Sequence, residues 1–166
     1  MRNLLHILPG LVAIGAMLSG CSTDECYDNR NSLPLADLYT IDSVRQAVTI
    51  DSISVWGVGV PRDSMLLDTA RNVQQIYFPF RIDYTSSSFV IRYDALSGLF
   101  PEAPVDTITF GYKPVPVFES QACGVFYRFD DVKVTHTSFL IDSVACPKGY
   151  IDNSQTANLE IYFRNE

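Results

Sequence analysis

The chain has 166 residues and a formal charge of -7, with 19 acidic against 12 basic residues. Only three of the basic residues are lysines and the arginines stand singly, so there is no basic stripe for nucleic acid or for an anionic lipid surface. At 47% hydrophobic the chain can bury one real core, and its length is too small for two domains.

Arg2 is followed by an apolar run of Leu4, Leu5, Ile7, Leu8, Leu11, Val12, Ile14 and Met17, broken only by His6 and Pro9-Gly10. A membrane span needs about 20 apolar residues, and this run is shorter; it has the size of a secretory h-region. Leu18-Ser19-Gly20-Cys21 comes next and resembles the lipobox of bacterial lipoproteins. That resemblance implies diacylglycerol on the Cys21 sulfur, removal of residues 1–20 and acylation of the new amino group. Each buried methylene is worth ~0.8 kcal/mol, so several acyl chains on one residue hold lastingly where a single chain is marginal. Ser22 stands where an Asp would favour inner-membrane retention. Thr23-Asp24-Glu25 resembles the acidic export signal of Bacteroidota surface lipoproteins. The expected location is the outer membrane, exposed at the cell surface, with a periplasm-facing orientation as the alternative. Residues 21–32 are polar and read as an acylated tether.

From Leu33 the pattern has a period of two, and 33–166 reads as one β domain. Asp68–Gln75 is the one segment expected to form a helical turn. Gln75–Tyr84 places Ile76, Phe78, Phe80, Ile82 and Tyr84 on one face, and Ser88–Asp94 does the same with Phe89, Ile91 and Tyr93. Asp106–Tyr112 alternates Ile108, Phe110 and Tyr112 against Thr107 and Thr109. Val125–Phe129, Val132–Thr137, Phe139–Ala145 and Leu159–Phe163 continue the alternation of half-buried strands. Between them lie turn clusters such as Val60-Pro61-Arg62-Asp63, Ser86-Ser87-Ser88, Pro101-Glu102-Ala103-Pro104 and Pro147-Lys148-Gly149. Pro79, Pro114 and Pro116 cannot donate to a ladder and belong on edges or at bulges. These signals predict an all-β fold, a single antiparallel β-sandwich of immunoglobulin-like or Greek-key type. An outer-membrane barrel fits less well, because its strands run about 9–11 residues and several here are shorter or interrupted by proline.

Few residues suggest chemistry. His136 lies in the strand-like Val132–Thr137 with no motif marking an orienting acid or a nucleophile. The Gly57 and Gly59 pair and Gly124 lack a phosphate-loop frame. Asp130-Asp131 lacks a calcium loop around it, and Trp56 reads as a core residue. No catalytic residue, metal site or cofactor is expected.

Cys21, Cys26, Cys123 and Cys146 show no zinc-ligand spacing. With Cys21 acylated, one disulfide and one spare thiol remain, in three possible pairings. Cys26–Cys123 would tie the tether to the domain, and Cys123–Cys146 would join neighbouring strands.

Asp followed by Ser or Thr and then a small or aliphatic residue recurs at Asp42, Asp51, Asp63, Asp68, Asp106 and Asp142. The triplet resembles the acceptor sequon for O-glycosylation in Bacteroidota, with Ser64 and Thr69 the best candidates. A turn aspartate preceding a strand produces the same triplet for structural reasons.

Cys21, Cys26, the segment Ser120-Gln121-Ala122-Cys123-Gly124 and the closing Asn158-Leu159-Glu160-Ile161-Tyr162-Phe163 together resemble a small uncharacterised lipoprotein family of Bacteroidota, a domain of unknown function. The resemblance implies an envelope lipoprotein with no assigned activity and a Cys26–Cys123 pairing, Cys146 being additional. The expected function is a non-enzymatic interaction or assembly module, held at the membrane by Cys21 and docking on an outer-membrane barrel protein. The alternative is a glycan- or ligand-binding module using Tyr77, Tyr93 or Tyr112.

Overall fold

Alternating β-branched and aromatic residues build ten strands in a computed structural model that describes residues 32–41, 45–59, 64–121, 123–154 and 156–164. They are β1 (Leu35–Thr40), β2 (Gln46–Ala47), β3 (Ile53–Gly57), β4 (Met65–Ala70), β5 (Gln75–Tyr77), β6 (Ser86–Tyr93), β7 (Val105–Ser120), β8 (Gly124–His136), β9 (Ile141–Ala145) and β10 (Leu159–Phe163). One sheet runs β4-β3-β6-β7-β8; the other runs β2-β1-β10-β9, with β5 also on β1. Packed together they form the all-β sandwich that the alternation predicts. Every second residue points inward: Ile53 and Val55, Phe89 and Ile91, Ile108 and Phe110 from one sheet, Ala36 and Leu38, Ile141, Leu159 and Ile161 from the other, all buried.

One pair departs from the antiparallel rule. β1 and β10 run parallel, in register from Ala36 opposite Leu159 to Thr40 opposite Phe163. Alternation is the same in both directions, so side-chain pattern alone carries no signal of strand sense.

Three local expectations are corrected. Asp68–Gln75 is not helical: Met65, Leu67 and Ala70 pair with β3, and the register shift between Leu67 and Ala70 leaves Asp68 and Thr69 as a bulge. Thr69 has φ +46 there, with its N–H donating to Ser54 Oγ at 3.0 Å. The one helical element among the described residues is a 3₁₀ turn at Asp94–Leu96. The strand expected over Gln75–Tyr84 stops at Tyr77, just ahead of Pro79, and Ile82 and Tyr84 are exposed. Val125–Phe129 and Val132–Thr137 are one strand, β8, whose register with β7 shifts around Asp131, at φ +53.

The prolines of β7 follow the edge rule. Tyr112 N–H points to the β6 side, donating to Thr85 O at 2.9 Å, and Pro114 and Pro116 share its parity. Pairing of β7 with β6 ends at Gly111, so the two missing donors face an open edge rather than β8.

At the opposite end of β7 sits a fully buried carboxylate. Asp106 shares the inward parity of Ile108 and Phe110 and is 0% exposed. Its Oδ1 accepts hydrogen bonds from Thr137 Oγ1 (2.8 Å) and Phe139 N (2.7 Å). Its Oδ2 accepts from Tyr93 OH (2.8 Å), Leu140 N (2.8 Å) and Ile141 N (3.0 Å). Removing an ion from water costs several kcal/mol unless its lone pairs are satisfied, and here every direction is met by a donor. Burial pushes the Asp106 carboxyl upward, but the three successive backbone N–H groups and Thr137 outweigh it and hold it below the usual carboxylate range. Burial, followed by the neighbouring charge and hydrogen bond of Asp106, raises the Tyr93 phenol far above its ordinary range, so it remains a donor. The contact fixes the segment that leaves β8 and enters β9, the crossing from one sheet to the other.

Asp106→Asn puts an amide NH₂ against N–H donors and removes the charge they solvate. The expected loss is about 3–5 kcal/mol, read from urea denaturation at neutral pH. Because the folded carboxyl lies below its unfolded value of about 3.9, its stabilisation is complete above that value. It is lost as pH falls through the folded value. The variant lacks this acid-side component, and an unchanged denaturation midpoint would contradict the assignment.

Candidate functional site

β3 ends and β4 begins at the end of the sandwich where β6 starts. Gly57 N donates to Ser64 O (3.3 Å), and Val58 N donates to Ser88 O (2.8 Å). The connection from β5 to β6, residues 78–85, crosses between the sheets here. It is fastened by one phenol: Arg81 N donates to Tyr112 Oη (3.0 Å), Tyr112 OH donates to Arg81 O (3.1 Å), and Ser87 Oγ lies 2.7 Å from the same hydroxyl. Phe80 stacks on the Tyr112 ring at 4.4 Å and 8°, and packs edge-on against Phe129 at 5.2 Å.

These contacts leave a cleft of about 490 Å³, with Phe80, Phe89 and Leu66 among its apolar lining and Ser64, Arg81, Tyr84 and Ser86 among its polar lining. The volume falls within the range of small-molecule sites, about 300–1,000 Å³. The Arg81 guanidinium lies over the Tyr84 ring, 3.5 Å from its centroid, which places a cation beside an aromatic edge at the rim. Chemically the cleft can take an apolar group on its floor and hydrogen-bond a polar or anionic one at its mouth.

Sequence reading missed this site. Ser86-Ser87-Ser88 reads as a turn but opens β6, and Ser87 shares the inward parity of Phe89. The available signal is the apolar face of the Gln75–Tyr84 segment continuing past Pro79 to Ile82 and Tyr84, which the structure leaves exposed.

The remaining sequence candidates are scattered. Tyr93 and Tyr112 are 2% and 5% exposed, so they form no surface row with the exposed Tyr77. Their hydroxyls are taken up by Asp106 and by Arg81 and Ser87. Trp56 is half-buried rather than in the core, because it has the outward parity of β3, where Arg92 lies 5.7 Å from its ring. His136 Nδ1 lies 2.7 Å from Thr137 O at the end of β8. Asp130 is held by Arg128 in a two-pronged ion pair (2.7 and 2.9 Å), which lowers its carboxyl. Among the described residues no group of three His, Cys, Asp or Glu is placed to hold a metal ion.

Ser64 and Thr69 are both exposed, Ser64 just ahead of β4 and Thr69 on it, and β4 is an edge strand. Thr69 Oγ1 donates to Asp68 Oδ1 (3.3 Å). Cys21 and Cys26 lie outside the described residues, as does Asp42-Ser43-Val44. Among the described cysteines, Cys146 is free and Cys123 is not. The Cys123–Cys146 pairing is therefore not the one formed. Cys146 is half-buried, with its Sγ 3.7 Å from Tyr150 O, and burial pushes its thiol up.

An all-β sandwich with a cleft at one end is the class of protein these features define. Residues 52–163, which include every residue named in the cleft, match the model of a family of unknown function, DUF6452. The chain belongs to that family. No curated protein and no solved structure matches it.

Alkylation of the unfolded, unreduced protein is expected to label Cys146 and leave Cys123 unmodified, as read by peptide mass. Labelling of both would contradict the bonded state of Cys123.

Proposed function

We propose that the chain is an envelope lipoprotein, anchored in the outer membrane through acyl groups on Cys21, whose sandwich is a non-enzymatic interaction or assembly module. A barrel protein of the same membrane is the partner class, and the cleft is where it docks. The observation that carries this reading is the cleft: an apolar floor with hydroxyl and guanidinium groups around it, fastened by the Tyr112 hydroxyl. The lipobox-like Leu18-Ser19-Gly20-Cys21 supports the anchor. The free Cys146 supports Cys26 as the partner of Cys123. Exposure of Ser64 and Thr69 supports their role as glycan acceptors.

Ser86 is exposed on the cleft lining, so Ser86→Trp fills the space without entering the core. Pull-down from solubilised outer membranes is expected to recover a reproducible partner with the wild type and to lose it with this variant. Equal recovery by both, at unchanged Tm, would remove the cleft from the reading.

A second reading, a glycan-binding module, rests on a different face. Tyr39 and Tyr162 lie side by side on β1 and β10, stacked at 5.5 Å and 29°. Their hydroxyls donate to Asp37 (3.2 Å) and Glu160 (2.7 Å), and Arg45 lies 4.0 Å from the Tyr39 centroid. A flat ring pair flanked by carboxylates is suited to stacking against a sugar. Tyr162→Ala is expected to abolish polysaccharide binding in titration calorimetry; binding retained by the variant would rule this face out.

A further inference from the structure

We propose that the outer half of the β7–β8 hairpin is a membrane-contacting finger, its apolar inner face seated in the lipid surface beside the anchor. The inference rests on the lipid-anchored reading and adds a second point of contact to it. β6 pairs with β7 only as far as Gly111, and from Lys113 to Ser120 β7 is paired with β8 alone. Along this arm Pro114 faces Phe129, Pro116 faces Tyr127 and Phe118 faces Val125. All six continue the inward parity of Phe110 and Tyr112, so the arm carries a core face out of the sandwich. Exposure climbs along it, from 1% at Phe129 to 51% at Val125 and 68% at Phe118.

Two observations choose the occupant. Pro114 and Pro116 remove the donors on the open edge of β7, so a partner strand finds no ladder to extend there. The described chain also begins on this arm: Ser32 donates from both its N–H and its Oγ to Tyr127 O. The stretch from Cys21 to Ser32 spans at most about 40 Å fully extended, and under the proposed Cys26–Cys123 pairing Cys21 lies within about 24 Å of Cys123, at the tip. Residues 22–31, Ser-Thr-Asp-Glu-Cys-Tyr-Asp-Asn-Arg-Asn, offer little apolar surface beyond Tyr27 to cover Phe118 and Val125. Acyl chains held this near bring the bilayer to the finger.

The test uses the acylated full-length protein in phosphatidylcholine–phosphatidylethanolamine vesicles with brominated acyl chains. Trp56 is the only tryptophan, so Phe118→Trp is made together with Trp56→Phe. The introduced indole is expected to emit further to the blue in vesicles than in detergent-free Cys21→Ser protein, and to be quenched by the brominated lipid. Val125→Trp is expected to behave alike, and Val117→Trp, on the opposite face, to stay unquenched. Indoles at 118 and 125 that remain unquenched would overturn the proposal, as would blue emission already present without vesicles. Intact mass separates the two failures. An acylated protein with an unquenched finger defeats only this inference, whereas absence of acyl mass on Cys21 defeats the anchor and the finger together.

Discussion

A buried negative charge sets the terms of this structure. The Asp106 carboxylate has no water to solvate it, so the fold must supply donors, and it does so from three places at once: Tyr93 on β6, Thr137 at the end of β8, and the backbone N–H groups of Phe139, Leu140 and Ile141. Those N–H groups belong to the short passage that carries the chain from one sheet to the other. Left unpaired in the interior, they would each cost about 1–3 kcal/mol, and the carboxylate more. Each side solves the other's problem, and the geometry that does so fixes how the two sheets meet. A hydrophobic residue at 106 would fill the volume but leave the turn without acceptors.

The two ends of the sandwich then have different characters. The Asp106 end is closed by polar contacts satisfied within the domain. At the other end β7 and β8 overshoot β6, the β5–β6 connection crosses the gap, and Tyr112 joins the two through Arg81 and Ser87. The cleft and the apolar arm therefore share one end and one anchoring hydroxyl. Phe80, packed on both Tyr112 and Phe129, is a wall of the first and the root of the second. Phe129, at the root of the arm, packs on the rings that shape the cleft.

Much of the fold was legible because strand alternation is a local property. Phe89, Ile91 and Tyr93, or Leu159, Ile161 and Phe163, declare an inward face whatever they pack on. Parity alone put Asp106 on the core face with Ile108 and Phe110, yet an acid there reads as a turn residue unless its donors are seen, and apart from Tyr93 those lie thirty or more positions downstream. The parallel sense of β1 and β10 was illegible for the same reason: direction leaves no trace in side-chain pattern. The candidate site was harder still. Its residues come from β3, β4, the β5–β6 connection and β6, and none carries a motif; Ser86-Ser87-Ser88 looks like a turn until the ladder with Gly111, Phe110 and Thr109 is drawn. Cysteine pairing was open in sequence, and the free Cys146 narrowed it.

The parallel pairing of β1 with β10 has a kinetic consequence. Leu38 meets Ile161 across almost the whole length of the domain, so one of the earliest strands to emerge has to wait for one of the last before its inner edge is covered. Such closure pays loop entropy before any contact rewards it, which makes folding slow and leaves β1 a bare template in the interval. A chain exported amino terminus first would meet that interval outside the cytosol, where holding it unpaired becomes the task of whatever escorts it.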